Sequence, residues 1–379
     1  MNIAFLSDQF YPRTSADSEQ IVSSLSALGK IESVTLISAA YHFKKQVSTS
    51  ELRDYYRKEV SFNLEFVRHL FPNIRGLEKL SFALSSVLRV RKGNYDLVYT
   101  RNIPILISTL IFTSLPVVFE SYRPWPARNR LAKWFFSKMA VNQKFLGVVL
   151  HSEYAGRSFS EVGFNDDKLF LAHNAFDFGI YKMDLNREKI RRFYEISSDS
   201  FLVTYSGRVN KSKGVDRIFQ LAKVFPNVDF LIVGSEGEGE IEKQARNIEN
   251  IKVLGWLAKE EVFNILRASD VLYIPPTTKA RDIAKNTVLP LKTFIYKASG
   301  IPIIAPDMED LREVLTHGEN AYLVTPDKID EEISALRVLI EDEGLRFRIG
   351  GNAKKDMEEL TWDNRAKRIQ SFIKSRLED

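Results

Sequence analysis

Residues 201–234, FLVTYSGRVNKSKGVDRIFQLAKVFPNVDFLIVG, read as a strand, a short polar loop, a helix and a second strand. The two apolar runs, FLVTYSGR at 201–208 and VDFLIVG at 228–234, are continuous rather than alternating. A run of that kind has both faces of its sheet covered, which points to parallel, doubly wound α/β architecture. The pattern continues with NIKVLGW (250–256), DVLYIPP (270–276), IPIIAPD (301–307) and AYLVTP (321–326), each set off by a helical pattern. It also runs through the first half of the chain as NIAFLSD (2–8), SVTLIS (33–38), DLVYTR (96–101), LPVVFE (115–120) and GVVLHS (147–152). Between the first two of these, Ile21, Val22, Leu25 and Leu28 recur at helical spacing, and Gly29 can close the helix. The polar stretch Asp177–Ser200 lacks a sustained apolar run, so the division is expected near 177, with one Rossmann-like domain over 1–176 and a second over 177–357. Ligands of such sheets sit beyond the carboxyl ends of the strands, and two facing lobes would enclose a cleft there.

The composition agrees and excludes several chemistries. At 379 residues the chain suits about two domains, and 44% hydrophobic with 27% charged residues is ordinary for a folded protein. The absence of cysteine removes disulfides, thiolate metal sites and cysteine nucleophiles. The five histidines, His42, His69, His151, His173 and His317, show no metal-ligand spacing, and there is no Gly-x-Ser-x-Gly elbow. The opening run has no basic lead or cleavage site, so it is expected to be a buried strand in a cytoplasmic protein. The most apolar stretch, 104–119, has 16 residues, short of the ~20 that span a bilayer.

Charge is unevenly spread. Residues 1–175 hold 22 Lys and Arg against 15 Asp and Glu, while the remainder holds 32 against 34. Within 121–150, Arg123, Arg128, Arg130, Lys133, Lys138 and Lys144 occur without an acidic residue, among Tyr122, Trp125, Trp134, Phe135, Phe136 and Phe145. Such a segment suits an anionic membrane surface or an acidic acceptor, and equally a helix with core aromatics and a solvated charged face. No recognition motif accompanies the charge, so nucleic acid is not expected as a partner.

Two places can bind an anion. SGRVNKSKG (206–214) leaves a strand end through Gly207 and offers Arg208 and Lys213. NTVLPLKTFIYKASG (286–300) reads as a helix with Thr287 as cap, Pro290 in the first turn and Gly300 past the end, so its initial amides are open. A diphosphate on those amides opposite Arg208 and Lys213 would be neutralised without a metal or other cofactor. GSEGEGE (234–240) has the wrong glycine spacing for a dinucleotide loop, and Glu236, Glu238 and Glu240 would repel a pyrophosphate.

SGRVNKSKG, VDFLIVGSEGEGE, NIKVLGWLAKEEVFNILRASDVLYIPP, VLPLKTFIYKASGIPIIAPD and ENAYLVTP, in this order and spacing, resemble the family 4 retaining glycosyltransferases of the GT-B fold. Looser similarity reaches both ends, including HNAFD (173–177) and TWDNRAKRI (361–369). The resemblance implies a nucleotide-sugar donor on the second lobe and a glycan or lipid-linked acceptor on the first. The sugar would be transferred with retention during cell-surface polysaccharide or glycolipid assembly. Separately, the basic segment 121–150 would give peripheral attachment to the inner face of the membrane. The resemblance makes Arg208 and Lys213 the cations that stabilise the leaving diphosphate. Ser206 and Gly207 would line the donor site. Asn286, Thr287, Val288, Leu289 and Pro290 would contact phosphates and sugar, and Gly255, Trp256 and Leu257 would border the base. A terminal helix within 358–379 would return to the first lobe.

Three departures from the family stand out. The family's paired glutamates, separated by seven intervening residues, are Thr287 and Ile295 here, which removes a ribose-binding carboxylate. Ser15, Ala16 and Asp17 replace an acceptor-side glycine loop, and a histidine after the LPVVFE strand aligns with Tyr122. These keep two alternatives open: a non-catalytic GT-B binding subunit, and a GT-B nucleotide-sugar epimerase or hydrolase.

Overall fold

The computed structural model describes residues 1–378 except 14, 41–45, 69–70, 72–73, 75, 177–185, 238 and 279–288. The expected linker start at Asp177, and Asn286, Thr287 and Val288 of the expected site, lie outside the described residues. The chain divides into two compact units, one of Met1–Asn174 with Trp362–Asp379 and one of Ala175–Thr361.

The first unit is a seven-stranded parallel sheet of β1 (Asn2–Ser7), β2 (Ser33–Ala39), β3 (Asn63–Val67), β4 (Leu97–Thr100), β5 (Val117–Ser121), β6 (Phe145–Leu150) and β7 (Leu169–Leu171), ordered β3-β2-β1-β4-β5-β6-β7. Its described helices are α1 (Ala16–Gly29), α2 (Thr49–Tyr56), α3 (Leu77–Arg91), α4 (Ile103–Phe112), α5 (Arg130–Ala140) and α6 (Glu153–Ser160). Alternate residues of each central strand feed opposite cores. Ile3 and Phe5 pack with Leu25 and Leu28 of α1, while Ala4 and Leu6 pack with Phe82 of α3, Leu106 of α4 and Phe136 of α5. Polar side chains start the helices: Ser15, Asn102 and Ser152 accept hydrogen bonds from the first-turn amides of α1, α4 and α6.

The second unit is a six-stranded parallel sheet of β8 (Phe201–Ser206), β9 (Val228–Ser235), β10 (Ile251–Gly255), β11 (Val271–Tyr273), β12 (Ile303–Pro306) and β13 (Tyr322–Val324), ordered β10-β9-β8-β11-β12-β13. It carries α7 (Arg187–Phe193), α8 (Arg217–Val224), α9 (Glu240–Ala245), α10 (Lys259–Arg267), α11 (Leu291–Ser299), α12 (Ile329–Glu341) and α13 (Glu343–Asp356). The last helix, α14 (Trp362–Glu378), belongs to the first unit, where Ala366, Ile369 and Ile373 join the core of β1 and α1. Strand order reverses direction at β1/β4 and at β8/β11. Those two switch points are where such sheets open a crevice for a ligand.

Three details differ from the sequence reading. The edge strands β3 and β7 were not expected, and α7 lies inside the stretch read as lacking an apolar run. Burial of the Arg191 side chain, 1% exposed, secures α7 where apolar residues are scarce. The third difference concerns 286–300. The helix there starts at Leu291, with Pro290 at the N-cap position (φ −69°, ψ 135°), not in the first turn. Proline disfavours helical geometry in the residue before it, so Leu289 cannot carry the helix across. Leu289 instead buries its side chain beside Phe294 and Phe176.

Within 121–150, α5 has one buried and one exposed face. Phe136 is fully buried against Phe119 and Phe159, while Leu131 and Trp134 remain 72% and 59% exposed. No helix among the described residues is long and apolar enough to cross a membrane.

Candidate functional site

In the second unit, β8 delivers Ser206 to the switch point, and the chain turns at Gly207 with φ 138°. The Gly207 N–H donates to Val233 O at 2.8 Å, and a Cβ on Gly234 (φ 107°) would stand 2.7 Å from Gly207 O. Glycine at both positions therefore lets two strand ends touch through backbone alone. The Tyr296 hydroxyl of α11 accepts from Ser206 N at 2.6 Å, and the Tyr205 hydroxyl donates to Arg208 O at 2.8 Å. Beyond Arg208 the loop winds into a single turn over Lys211–Lys213, capped by Asn210, whose Oδ1 accepts from Lys213 N at 3.0 Å. Gly214 (φ 69°) closes it, and a Cβ there would meet Thr277 Cγ2 at 2.6 Å.

The loop is rich in cations. Arg208 Nε pairs with Glu236 at 3.2 Å and Lys211 with Glu240 at 2.8 Å, all with exposed side chains. Glutamates that discouraged a dinucleotide reading of 234–240 thus hold the cations of the neighbouring loop. An exposed pair such as Arg208–Glu236 is worth about 0–1 kcal/mol, so an incoming phosphate can displace it. Lys213 is exposed, and among the described residues it makes no ion pair with a carboxylate. The first turn of α11 adds Lys292, whose Nζ is 3.9 Å from the centroid of the Tyr205 ring and would lie 2.6 Å from a Cβ on Gly207. Burial pushes this ammonium down to about 7, with the Lys213 charge adding to the effect.

Of the residues singled out in the sequence, the structure gathers Ser206, Gly207, Arg208 and Lys213 on one loop beside the start of α11. Leu289 and Pro290 lead into that helix. Gly255 ends β10 two strands from β8, Trp256 follows it at 66% exposure, and Leu257 packs against Leu202 and Ile265. Ile295 packs against the apolar cluster that includes Phe263 and Leu266 of α10. No group of three or more His, Asp or Glu side chains capable of holding a metal occurs among the described residues.

In the first unit, Ser15 spends its hydroxyl on capping α1, accepting from Ser18 N at 3.2 Å, and Ala16 is the first helical residue. The Tyr122 ring lies 6.1 Å from that of His151 and 4.9 Å from the Arg123 guanidinium. Beneath it is a buried charge cluster that sequence reasoning missed. Glu120 Oε1 accepts from Arg101 Nη2 (2.8 Å), His151 Nε2 (2.7 Å) and Arg365 Nη2 of α14 (2.7 Å). Arg101 also reaches Asp17 at 2.9 Å and Gln20 at 3.1 Å, and Arg365 reaches Ser24 at 2.8 Å. Burial would raise Glu120, but the charges of Arg101 and Arg365 hold it well below the usual carboxylate range. Burial pushes His151 down to about 4 against the pull of Glu120, so the imidazole is neutral near pH 7. The one sequence signal was an acidic residue ending the apolar run LPVVFE.

Residues 186–356 match the family model of glycosyl transferases group 1. An uncharacterized glycosyltransferase, MJ1607 of Methanocaldococcus jannaschii, is 24% identical over 227 residues, 56% of this chain and 55% of that protein. The capsular polysaccharide biosynthesis glycosyltransferase CapM of Staphylococcus aureus is 23% identical over 222 residues, 54% of this chain and 55% of its own length. The chain thus matches about half the length of these curated relatives. The crystal structure of Anabaena Alr3699/HepE in complex with UDP-glucose superposes with a TM-score of 0.73 at 18% identity, covering 99% of this chain and all of the other. The fold is GT-B, two Rossmann-like domains with parallel sheets.

Proposed function

We propose that this chain is a family 4 retaining glycosyltransferase that moves a sugar from a nucleotide-sugar donor to a glycan or lipid-linked acceptor in cell-surface polysaccharide or glycolipid assembly. One observation carries the reading: the loop 206–214, at the β8/β11 switch point, carries Arg208 and Lys213 and lies at Gly207 against Lys292 of the first turn of α11. A diphosphate seated there meets positive charge and open amides, which stabilise the negative charge that grows as the anomeric C–O bond breaks. The acceptor hydroxyl oxygen takes the vacated position on the same face of the sugar, and its proton passes to the departing diphosphate oxygen. The cations do the work a divalent metal does elsewhere, so activity is independent of metal and of any other cofactor. Trp256, exposed beyond β10, offers the base an aromatic face. Similarity to CapM and the fold shared with the UDP-glucose complex of HepE support this reading.

The test is donor binding and turnover in the Arg208→Ala variant. Binding should weaken at least tenfold and turnover by more. Unchanged affinity and rate would remove the phosphate clamp. Packing of Ile295 into an apolar cluster favours a second reading, a non-catalytic GT-B binding subunit. Calorimetry separates the two, because such a subunit gives no saturable heat with any nucleoside diphosphate.

We further propose a cytoplasmic protein that meets the anionic inner face of the membrane through 121–150. Leu131 and Trp134 are exposed on α5 among Arg128, Arg130, Lys133 and Lys138. Binding to vesicles containing phosphatidylglycerol should be lost on reversing the charges of Arg128, Arg130 and Lys133. Persistence of that binding would refute the contact.

A further inference from the structure

We propose that Lys292 is a third cation of the phosphate site, binding the diphosphate in its protonated form and so coupling donor binding to uptake of a proton. The inference rests on the reading of loop 206–214 as the donor site and adds a residue that reading does not assign. Three observations carry it. Lys292 Nζ lies 3.9 Å from the Tyr205 ring centroid, on the ring whose hydroxyl holds the Arg208 carbonyl. It also fills the space a side chain at Gly207 would take, 2.6 Å from that Cβ position, so it stands against the backbone of the loop itself. Among the described residues, neither Lys292 nor Lys213 pairs with a carboxylate, whereas Arg208 and Lys211 on the same loop each have one.

Two lysines close enough to repel, with no carboxylate paired to either among the described residues, form a site that an anion completes. Among the described residues, the titratable groups around Lys292 are Tyr205 on β8, Tyr296 on its own helix and Lys213 on the loop. Burial raises both tyrosines, so they stay neutral, and among the described residues Lys213 is the charge acting on Lys292. With its ammonium held down to about 7, Lys292 is half charged near neutrality. A diphosphate in contact favours the charged form, so Lys292 takes up a proton as the nucleotide binds.

The experiment is calorimetric titration of UDP, GDP and ADP into the full chain at pH 7, 8 and 9, in two buffers of different ionisation heat. The unsubstituted protein should take up close to one proton per nucleotide at pH 8 and bind at least about tenfold more weakly at pH 9 than at pH 7. Lys292→Met keeps the length of the side chain and removes the charge. It should bind about tenfold more weakly at pH 7 with no proton uptake, while Lys292→Arg should bind without uptake. Proton uptake and affinity in Lys292→Met equal to those of the unsubstituted protein would overturn the proposal. If Arg208→Ala still weakens binding in that case, the donor-site reading stands alone. If none of the three nucleotides binds, both fall.

Discussion

Lowering the pH should destabilise the first unit through one histidine. His151 is 3% exposed, its Nε2 donates to Glu120 at 2.7 Å, and Gln20 Nε2 lies 3.3 Å from Nδ1, placed to donate to it. Both ring nitrogens are thus satisfied in the neutral form. The folded-state value is depressed, to about 4 from 6.5. Between those limits the unfolded chain binds a proton that the folded chain does not, so stability is full above about 6.5 and lost as the pH falls. From pH 7 to pH 4.5 the loss from this residue amounts to roughly 2.5 kcal/mol. The assay is urea unfolding followed by tryptophan fluorescence, which reports on the first unit because Trp125, Trp134 and Trp362 lie there and only Trp256 lies in the other. His151→Gln retains a donor toward Glu120 and cannot titrate. The loss on acidification should therefore be smaller by roughly 2 kcal/mol in this variant than in the unsubstituted protein. Equal losses in the two proteins would show that His151 is not held neutral by burial, and the reasoning would fail.

Two substitutions in the second unit test its local construction. Gly207→Ala forces a side chain into a backbone with φ 138° and toward Lys292 Nζ, so it should cost about 1–3 kcal/mol in unfolding and weaken nucleotide binding. Arg191→Met leaves Asp270 and the carbonyls of Ser197, Ser198, Ser200 and Ala268 without their shared donor, and should destabilise that unit by about 3–5 kcal/mol in denaturant titrations. By contrast, Trp134→Ser, at a side chain already exposed, should change unfolding by no more than about 0.5 kcal/mol while reducing vesicle binding.

The central strands were legible because each is a continuous apolar run buried on both faces, as in β1, where Ile3 to Leu6 are all buried. The edge strands were not. β3 pairs on one side only, and its residues NLEFV are partly exposed, so no apolar run marks it; β7 is three residues long. The loop cations Arg208 and Lys213 were visible because a glycine-flanked basic loop follows an unmistakable strand. Lys292 was not, because a lysine in a first helical turn is ordinarily solvated, and it is covered by Tyr205 and Gly207, more than 80 positions earlier. The Glu120 cluster was hidden for the same reason. Arg101, His151 and Arg365 come from separate connections, and nothing local in any of them announces the meeting. The start of α11 was misplaced because the apolar pattern extends back through Leu289, while the proline rule, which operates on backbone sterics, delays the helix until after Pro290.

The most direct test of the account is an experimental structure of this chain soaked with a nucleotide-sugar. The account predicts both phosphates at the β8/β11 switch point, with oxygens about 3 Å from Arg208 and Lys213 nitrogens and Glu236 released from Arg208. Phosphates bound away from loop 206–214, with the Arg208–Glu236 pair intact, would contradict it.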